Sequence, residues 1–180
     1  MIKAAKMYVK IIDKISTFIG SVIRFLVLAT IGLLVFEALS RNLFNAPHKW
    51  ALEMTQFING TYYLIGGAFT LLVGGHARMD FLYEDWSPRK KAFFDILTVV
   101  FEITFLVVLI NGGYKSAAYA LKYKQITYSA WGPPIAPIKI ISIVGMCFML
   151  LQSISELIKD LSIAIGKDDQ WFTRRQEEIT

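Results

Sequence analysis

Cysteine and histidine are almost absent from this chain, and charged residues are scarce. One cysteine, Cys147, and two histidines, His48 and His76, occur among 180 residues. A lone cysteine excludes an internal disulfide and a dithiol redox centre, and its apolar neighbours are typical of an inert packing residue. Charged residues make up 18% of the chain, whereas a soluble domain usually has about a quarter. The composition therefore disfavours a soluble fold and thiol redox chemistry.

Apolar residues are abundant and lie in long blocks. They make up 55% of the chain, the mean hydropathy is +0.49, and no charge occurs from Met54 to Gly75. An uncharged helix of about 22 residues crosses a hydrocarbon core roughly 30 Å thick. We therefore predict an all-α membrane domain over residues 1–166 and a polar cytoplasmic tail over 167–180. Four transmembrane helices are expected, at residues 15–39, 54–75, 92–114 and 138–158.

Basic residues indicate the orientation in the membrane. The net charge of +5 comes from lysines and arginines that lie mostly outside the apolar blocks. More of them occur in the amino-terminal segment, the loop after the second block and the carboxy-terminal segment than in the other two loops. Positive residues favour the cytoplasmic side, so both termini are predicted to be cytoplasmic. The segment before residue 15 is predicted to be an amphipathic lead-in on the membrane surface or an extension of helix one.

The first connector contains Asn45 and Pro47, which predict the end of one helix and the start of another. Asparagine is a common cap, and proline is tolerated in the first turn of a helix. We expect a short interfacial helix here, between helices one and two, that carries His48, Trp50 and Glu53. Trp50 is predicted to lie at the depth of the lipid headgroups, where tryptophan is enriched.

The second connector contains Trp131, Pro133 and Pro134 and precedes the fourth span. Consecutive prolines disfavour helical backbone, so a rigid non-helical segment is predicted. Trp131 also suits the membrane–water interface. These three side chains are therefore candidates for contact with a partner.

Two charged residues, Arg24 and Glu102, fall well inside predicted spans. A charge near the centre of a membrane costs on the order of 3 kcal/mol on insertion scales. The two residues are predicted at similar depths and can pair, or Arg24 can extend to the headgroups. A proton or ion relay needs a longer chain of such groups, and only Asp95 lies nearby. Glu37 and Arg41, four residues apart, are predicted to form a local pair.

Small residues are concentrated in the second span. Gly60, Gly66 and Gly67 occur there beside Asn59 and Thr61. In a membrane helix, small residues permit the close approach of another helix, and hydroxyl or amide groups can bond across the contact. We therefore expect the face that carries Gly66 and Gly67 to pack against helices, within or between subunits.

The two histidines do not suggest a haem site. Axial ligands must face each other at one depth, but His48 and His76 are predicted on opposite sides of the bilayer. His76, Arg78 and Asp80 are predicted to cap the end of helix two, where the helix dipole favours Arg78. The sequence shows no motif for a catalytic metal or a cofactor, so we do not predict an enzyme.

Three stretches occur in an order found in a known family of membrane proteins. Because of them, the chain resembles the DctQ-like small membrane subunits of tripartite ATP-independent periplasmic (TRAP) transporters. The third stretch is similar to the mannitol/chloroaromatic branch of that family. The stretches are Arg41–Pro47 with Trp50 and Glu53 (R-x-x-F-x-x-P…W-x-x-E), Gly74–Asp80 (G-x-H-x-R-x-D) and Ser129–Lys139 (S-x-W-x-P-P-x-x-P-x-K).

The resemblance implies a subunit without a substrate site of its own. Its partners would be a large membrane subunit of about twelve helices, which holds the substrate and sodium sites, and a periplasmic substrate-binding protein. The small subunit would brace the large one in the bacterial inner membrane, surrounded by lipids, while a sodium gradient drives uptake of a small organic acid. No cofactor and no nucleic acid are implied.

Two other functions compete with this interpretation. In a membrane-anchor subunit of an enzyme complex, Glu102, Asp95 or the histidines would be active groups, and a haem absorbance band would support it. A self-sufficient homo-oligomeric channel needs a polar face along one helix, whereas residues such as Asn59, Asn111 and Gln152 are scattered. Purification as a stable single-subunit oligomer that passes ions would favour the channel.

Overall fold

The computed structural model describes residues 2–73 and 88–165, with side chains for residues 5–73 and 94–162. Prolines occur only between helices or in a first turn, where a missing backbone N–H does no harm. Outside the helices, the described residues form one isolated β-bridge, between Ile126 and Pro134. The predicted all-α class is therefore confirmed. The helices are α1 (Ile2–Leu43), α2 (Lys49–Leu72), α3 (Pro88–Lys122) and α4 (Ala136–Ile165).

The helices alternate in direction, and α4 lies at the centre of the bundle. α4 contacts each of the other three helices, and the extensive contacts of α3 within the described residues are with α4. α1 and α3 run antiparallel to α2 and α4. The contacts that define these directions are Gly20 with Phe69 and Ile23 with Gly66 (α1–α2), Gly60 with Ile138 and Gly67 with Met149 (α2–α4), and Glu102 with Ser153 and Gly113 with Ile143 (α3–α4).

This alternation gives the bundle two distinct ends. The connectors at residues 44–48 and 123–135 lie at one end, which we call the connector end. The start of α1 and the end of α4 lie at the other, which we call the terminal end. Residues placed far apart in the sequence therefore meet at each end.

The helix bounds decide one alternative that the sequence left open and differ from two expectations. α1 is continuous from Ile2, so the lead-in segment is the extended start of helix one. α3 continues through Gly112 and Gly113 to Lys122. The expected separate interfacial helix is not formed, because Lys49 begins α2 and the helix runs without a break to Leu72. A proline at residue 47 is compatible with this start, since it lies before the first helical residue.

Within the part of the chain that the structure describes, three helices are long and apolar enough to cross a membrane, over Ala5–Leu43, Phe94–Lys122 and Ala136–Ser162. α2 does not reach the same hydropathy, since its 24 residues include Asn59, Thr61 and three glycines. The outward faces of α1 and α3 carry large apolar side chains, with Phe25 and Phe101 63% and 69% exposed. So much exposed apolar surface on a bundle fits a lipid environment or a partner.

Candidate functional site

A buried carboxylate joins the end of α1 to the start of α2. The oxygens of Glu37 accept the backbone N–H of His48 at 3.2 and 3.1 Å, and Oε2 lies 3.6 Å from Nδ1 of the same residue. His48 is the N-cap of α2, so the carboxylate lies where the helix dipole favours negative charge. The predicted local pair with Arg41 is not formed, because Glu37 binds His48 and Arg41 is exposed.

Two further features close the same turn. The backbone N–H groups of Phe44 and Ala46 both donate to the carbonyl of Ser40, at 3.2 and 3.1 Å. Asn45 lies between them with φ of +51°, a left-handed conformation that asparagine tolerates better than most residues. The chain therefore reverses direction within five residues and brings α2 against α1.

Trp50 belongs to an aromatic cluster beside this turn. The ring centroids of Phe36 and Trp50 are 6.3 Å apart, those of Phe36 and His48 are 5.4 Å apart, and those of His48 and Trp50 are 6.0 Å apart. Glu53 lies about one turn further along α2. Its Oε2 is buried and has no hydrogen-bond partner among the described residues.

Glycines form the contacts of α2 with α1 and α4. Gly66 lies against Ile23 of α1, and Gly67 lies against Met149 of α4. A close approach of backbone to backbone involves Gly145 of α4, which was not predicted from the sequence. A Cβ at Gly145 would lie 2.8 Å from the carbonyl carbon of Leu64 and 3.0 Å from the backbone nitrogen of Ile65. Because Gly145 has no side chain, the backbones of α2 and α4 meet here, and this contact sets the distance between the two helices.

The second connector is a closed, non-helical loop. The backbone N–H of Thr127 donates to the carbonyl of Pro133 at 3.0 Å, and that of Ile135 donates to Gln125 at 3.1 Å. Gly132 has φ of +58°, and its N–H donates to Ser129 Oγ at 3.0 Å. These bonds hold the connector as a narrow loop and fix where Trp131, Pro133 and Pro134 lie.

An apolar groove of about 530 Å³ opens at the connector end. The candidate residues Trp131, Pro133 and Pro134 all line it, so the structure brings these three together. Residues of α1, α2 and α4 complete the lining. The full lining is Leu26, Met54, Phe57, Ile58, Thr61, Trp131, Gly132, Pro133, Pro134, Pro137, Ile138 and Ile141.

A buried polar network joins α1 to α4 towards the terminal end, and the sequence analysis missed it. Asp13 Oδ1 accepts hydrogen bonds from Gln152 Nε2 at 3.2 Å and Ser155 Oγ at 3.3 Å, and lies 3.3 Å from Lys159 Nζ. Glu156 Oε1 accepts from Gln152 Nε2 at 2.9 Å and from Lys159 Nζ at 2.8 Å. Each of these residues is at least 97% buried. The polar network comprises Asp13, Ser16, Gln152, Ser155, Glu156 and Lys159.

A sequence signal for the polar network does exist. Its α4 members recur at intervals of three or four residues, and so do Asp13 and Ser16 on α1. Side chains at this spacing share one helix face. A polar stripe on one face at the end of an apolar span indicates an inward-facing contact, because the membrane offers no partners for it.

Arg24 and Glu102 have separate partners. Arg24 Nε donates to the carbonyl of Ser21 at 3.0 Å, and its guanidinium lies 5.6 Å from the centroid of the Phe25 ring. Glu102 Oε1 accepts from Ser153 Oγ at 2.9 Å. The ion pair that the sequence allowed is not formed in the described structure. Arg24 is exposed along the side of α1, in keeping with the alternative of extension towards the headgroups.

Three of the candidate residues, His76, Arg78 and Asp80, lie outside the described residues. Within the described ranges, no three side chains of histidine, cysteine, aspartate or glutamate come together as a metal site. The described side chains form helix-to-helix contacts and apolar pockets, among them the groove at the connector end.

Residues 30–162 match the family model described as "Tripartite ATP-independent periplasmic transporters, DctQ component". The match covers well over half of the chain. This chain belongs to the DctQ family. A comparison with curated proteins finds no significant match.

Membership of the DctQ family identifies the chain as a membrane component of a TRAP transporter and not as an enzyme. In TRAP systems the DctQ component works with a large membrane subunit and a periplasmic binding protein. The matched region contains the first connector, the second connector and the α4 half of the polar network. Arg24, Asp13 and Ser16 precede it.

Proposed function

We propose that this DctQ protein is the small scaffold subunit that supports the large permease subunit of a TRAP transporter. The transporter would take up a small organic acid, delivered by a periplasmic binding protein and driven by a sodium gradient. The observation that carries the proposal is the DctQ match over residues 30–162. It is supported by a bundle whose described polar groups mostly bond one another while its outer faces are apolar.

The proposed placement is the bacterial inner membrane, with four spans and both termini in the cytoplasm. The alternating helix directions support this, because α2 lies between helices that are apolar enough to span. At about 1.5 Å per residue, its 24 residues extend roughly 36 Å, enough to cross the hydrocarbon core. We assign the chain to the mannitol/chloroaromatic branch because of the residues from Ser129 to Lys139.

Purification of tagged protein in a mild detergent, at native expression level, tests this function. We expect one large membrane protein with roughly a dozen predicted spans to co-purify. The corresponding binding protein should then stimulate substrate uptake in liposomes that contain both membrane subunits and a sodium gradient. Recovery of the chain alone as a folded, stable oligomer would contradict the proposal and support a channel.

A further inference from the structure

An unpartnered carboxylate lies on α2 one turn before a residue of the groove. Glu53 is not part of the groove lining, but it precedes the lining residue Phe57 by four positions, so both residues belong to the same side of α2. Glu53 Oε2 is buried and accepts no hydrogen bond from the described residues. A carboxylate oxygen that has lost water without gaining a donor is unfavourable. A ligand that donates a hydrogen bond at this point would remove that cost.

Lys49 provides an opposite charge on the same side of α2. It lies four residues before Glu53, is exposed, and forms no hydrogen bond or ion pair with the described residues. The spacing permits an ion pair with Glu53, yet none is formed. One turn of α2 therefore presents a free ammonium followed by a free carboxylate.

The position of this charge pair matches the shape of an amphiphile. Trp50 follows Lys49 in the chain and Trp131 lines the groove at the connector end, and tryptophan is enriched at headgroup depth. Away from that end, the groove is lined by apolar side chains such as Leu26, Ile58 and Ile141. The site is thus polar where the bilayer is polar and apolar where the bilayer is apolar.

We propose that the groove binds a phospholipid whose headgroup carries a primary ammonium, that is, an ethanolamine phospholipid. The ammonium donates to Glu53, the phosphate pairs with Lys49, and one acyl chain occupies the groove. A volume of about 530 Å³ is within the roughly 300–1,000 Å³ of small-ligand sites. A basic side chain of a protein partner would satisfy Glu53 but would leave the charge of Lys49 unmatched. The inference rests on the proposed four-span insertion and not on the large subunit.

The headgroup class can be tested by lipid competition. The full-length chain is placed in nanodiscs with equal amounts of ethanolamine, choline and glycerol phospholipids of identical acyl chains, and the lipids retained after extraction into detergent are counted by native mass spectrometry. We expect about a tenfold preference for the ethanolamine lipid, since a quaternary choline has no N–H to donate. Glu53→Gln should reduce that preference at least about fivefold. Glu102→Gln is the matched control, because that carboxylate bonds Ser153 elsewhere.

Equal retention of ethanolamine and choline lipids by the wild-type chain would overturn the proposal. An unchanged preference in Glu53→Gln, with helical content equal to wild type by circular dichroism, would also overturn it. If Glu53→Gln does not fold, a photo-crosslinker at Phe57 decides: transfer to lipid supports the site, and transfer to a protein partner contradicts it. Failure of these tests leaves co-purification with the large subunit unaffected, so the two proposals fail independently.

Discussion

The ammonium of Lys159 lies 3.3 Å from Oδ1 of Asp13, and the two side chains are only 2% and 0% exposed. The same ammonium lies 2.8 Å from Glu156. A buried ion pair adds little net stability compared with an apolar pair of the same shape, because both charges lose their hydration. Loss of one partner is strongly destabilising, since the other charge of the pair then remains buried and uncompensated. We infer that the polar network determines which face of α1 meets α4.

Substitution of Lys159 tests this role. Lys159→Met removes the ammonium that lies against the buried carboxylates of Asp13 and Glu156, and should lower the free energy of unfolding by roughly 3–5 kcal/mol. Thermal unfolding of the purified protein in detergent provides the measurement. Lys14→Met is the control, because Lys14 is exposed on α1 and surface substitutions usually change stability by less than about 0.5 kcal/mol. Equal losses in the two variants would show that the network is not a specific contact.

Glu37 and Arg41 give a second matched pair of variants. Glu37→Ala removes the acceptor of the His48 N–H at the start of α2 and should cost about 1–2 kcal/mol. Arg41→Ala should have little effect, because Arg41 is exposed and does not bind Glu37. Chemical unfolding followed by circular dichroism measures both. Comparable losses would instead favour the Glu37–Arg41 pair predicted from the sequence.

Alanine substitutions at Gly145 and Gly112 distinguish the effect of helix packing on stability from the effect of helix propensity. Alanine is a better helix former than glycine by up to about 1 kcal/mol, so Gly112→Ala, with nothing within 4 Å of the added methyl group, should be neutral or stabilising. Gly145→Ala places the methyl group against the backbone of α2 and should cost on the order of 1–3 kcal/mol. Melting temperatures of the two variants, compared with that of the wild type, test both expectations. A stabilising Gly145→Ala would mean that α2 and α4 can separate freely.

Arg24 and Glu102 should behave as independent sites. Each has its own partner, Ser21 or Ser153, so the effects of Arg24→Leu and Glu102→Leu on stability should add within about 0.5 kcal/mol. A double-mutant cycle of unfolding free energies measures the coupling. A double variant that loses clearly less unfolding free energy than the two single variants together would indicate that Arg24 and Glu102 form an ion pair.

The positions of the helices could be predicted from the sequence because they depend on local hydropathy. The apolar blocks fall on α1, α2, α3 and α4, and short motifs around them carry the resemblance to the DctQ family. The ends of the helices were less predictable. Backbone hydrogen bonding continues past the apolar block into Lys3–Lys14 and through Gly112 and Gly113, since no proline interrupts it there.

The contacts between helices could not be predicted from local pattern alone. Spacing along one helix predicts that Glu37 pairs with Arg41, whereas the reversal at Asn45 brings His48 closer. Asp13 and Lys159 lie at the polar flanks of apolar blocks, and charges there are usually solvated. Their burial depends on α1 and α4 meeting along their polar stripes, which requires knowledge of the packing.

The polar network also imposes an order on biosynthesis. Gln152 follows Asp13 by 139 positions, so the ribosome delivers α1 long before any of its α4 partners exists. Until then, the α4 side chains that bond Asp13 in the finished bundle are absent, and lipid offers no substitute for them. Insertion of α4 is the step that supplies them. A nascent chain that stops short of α4 therefore lacks these donors, which distinguishes an unfinished subunit from a complete one.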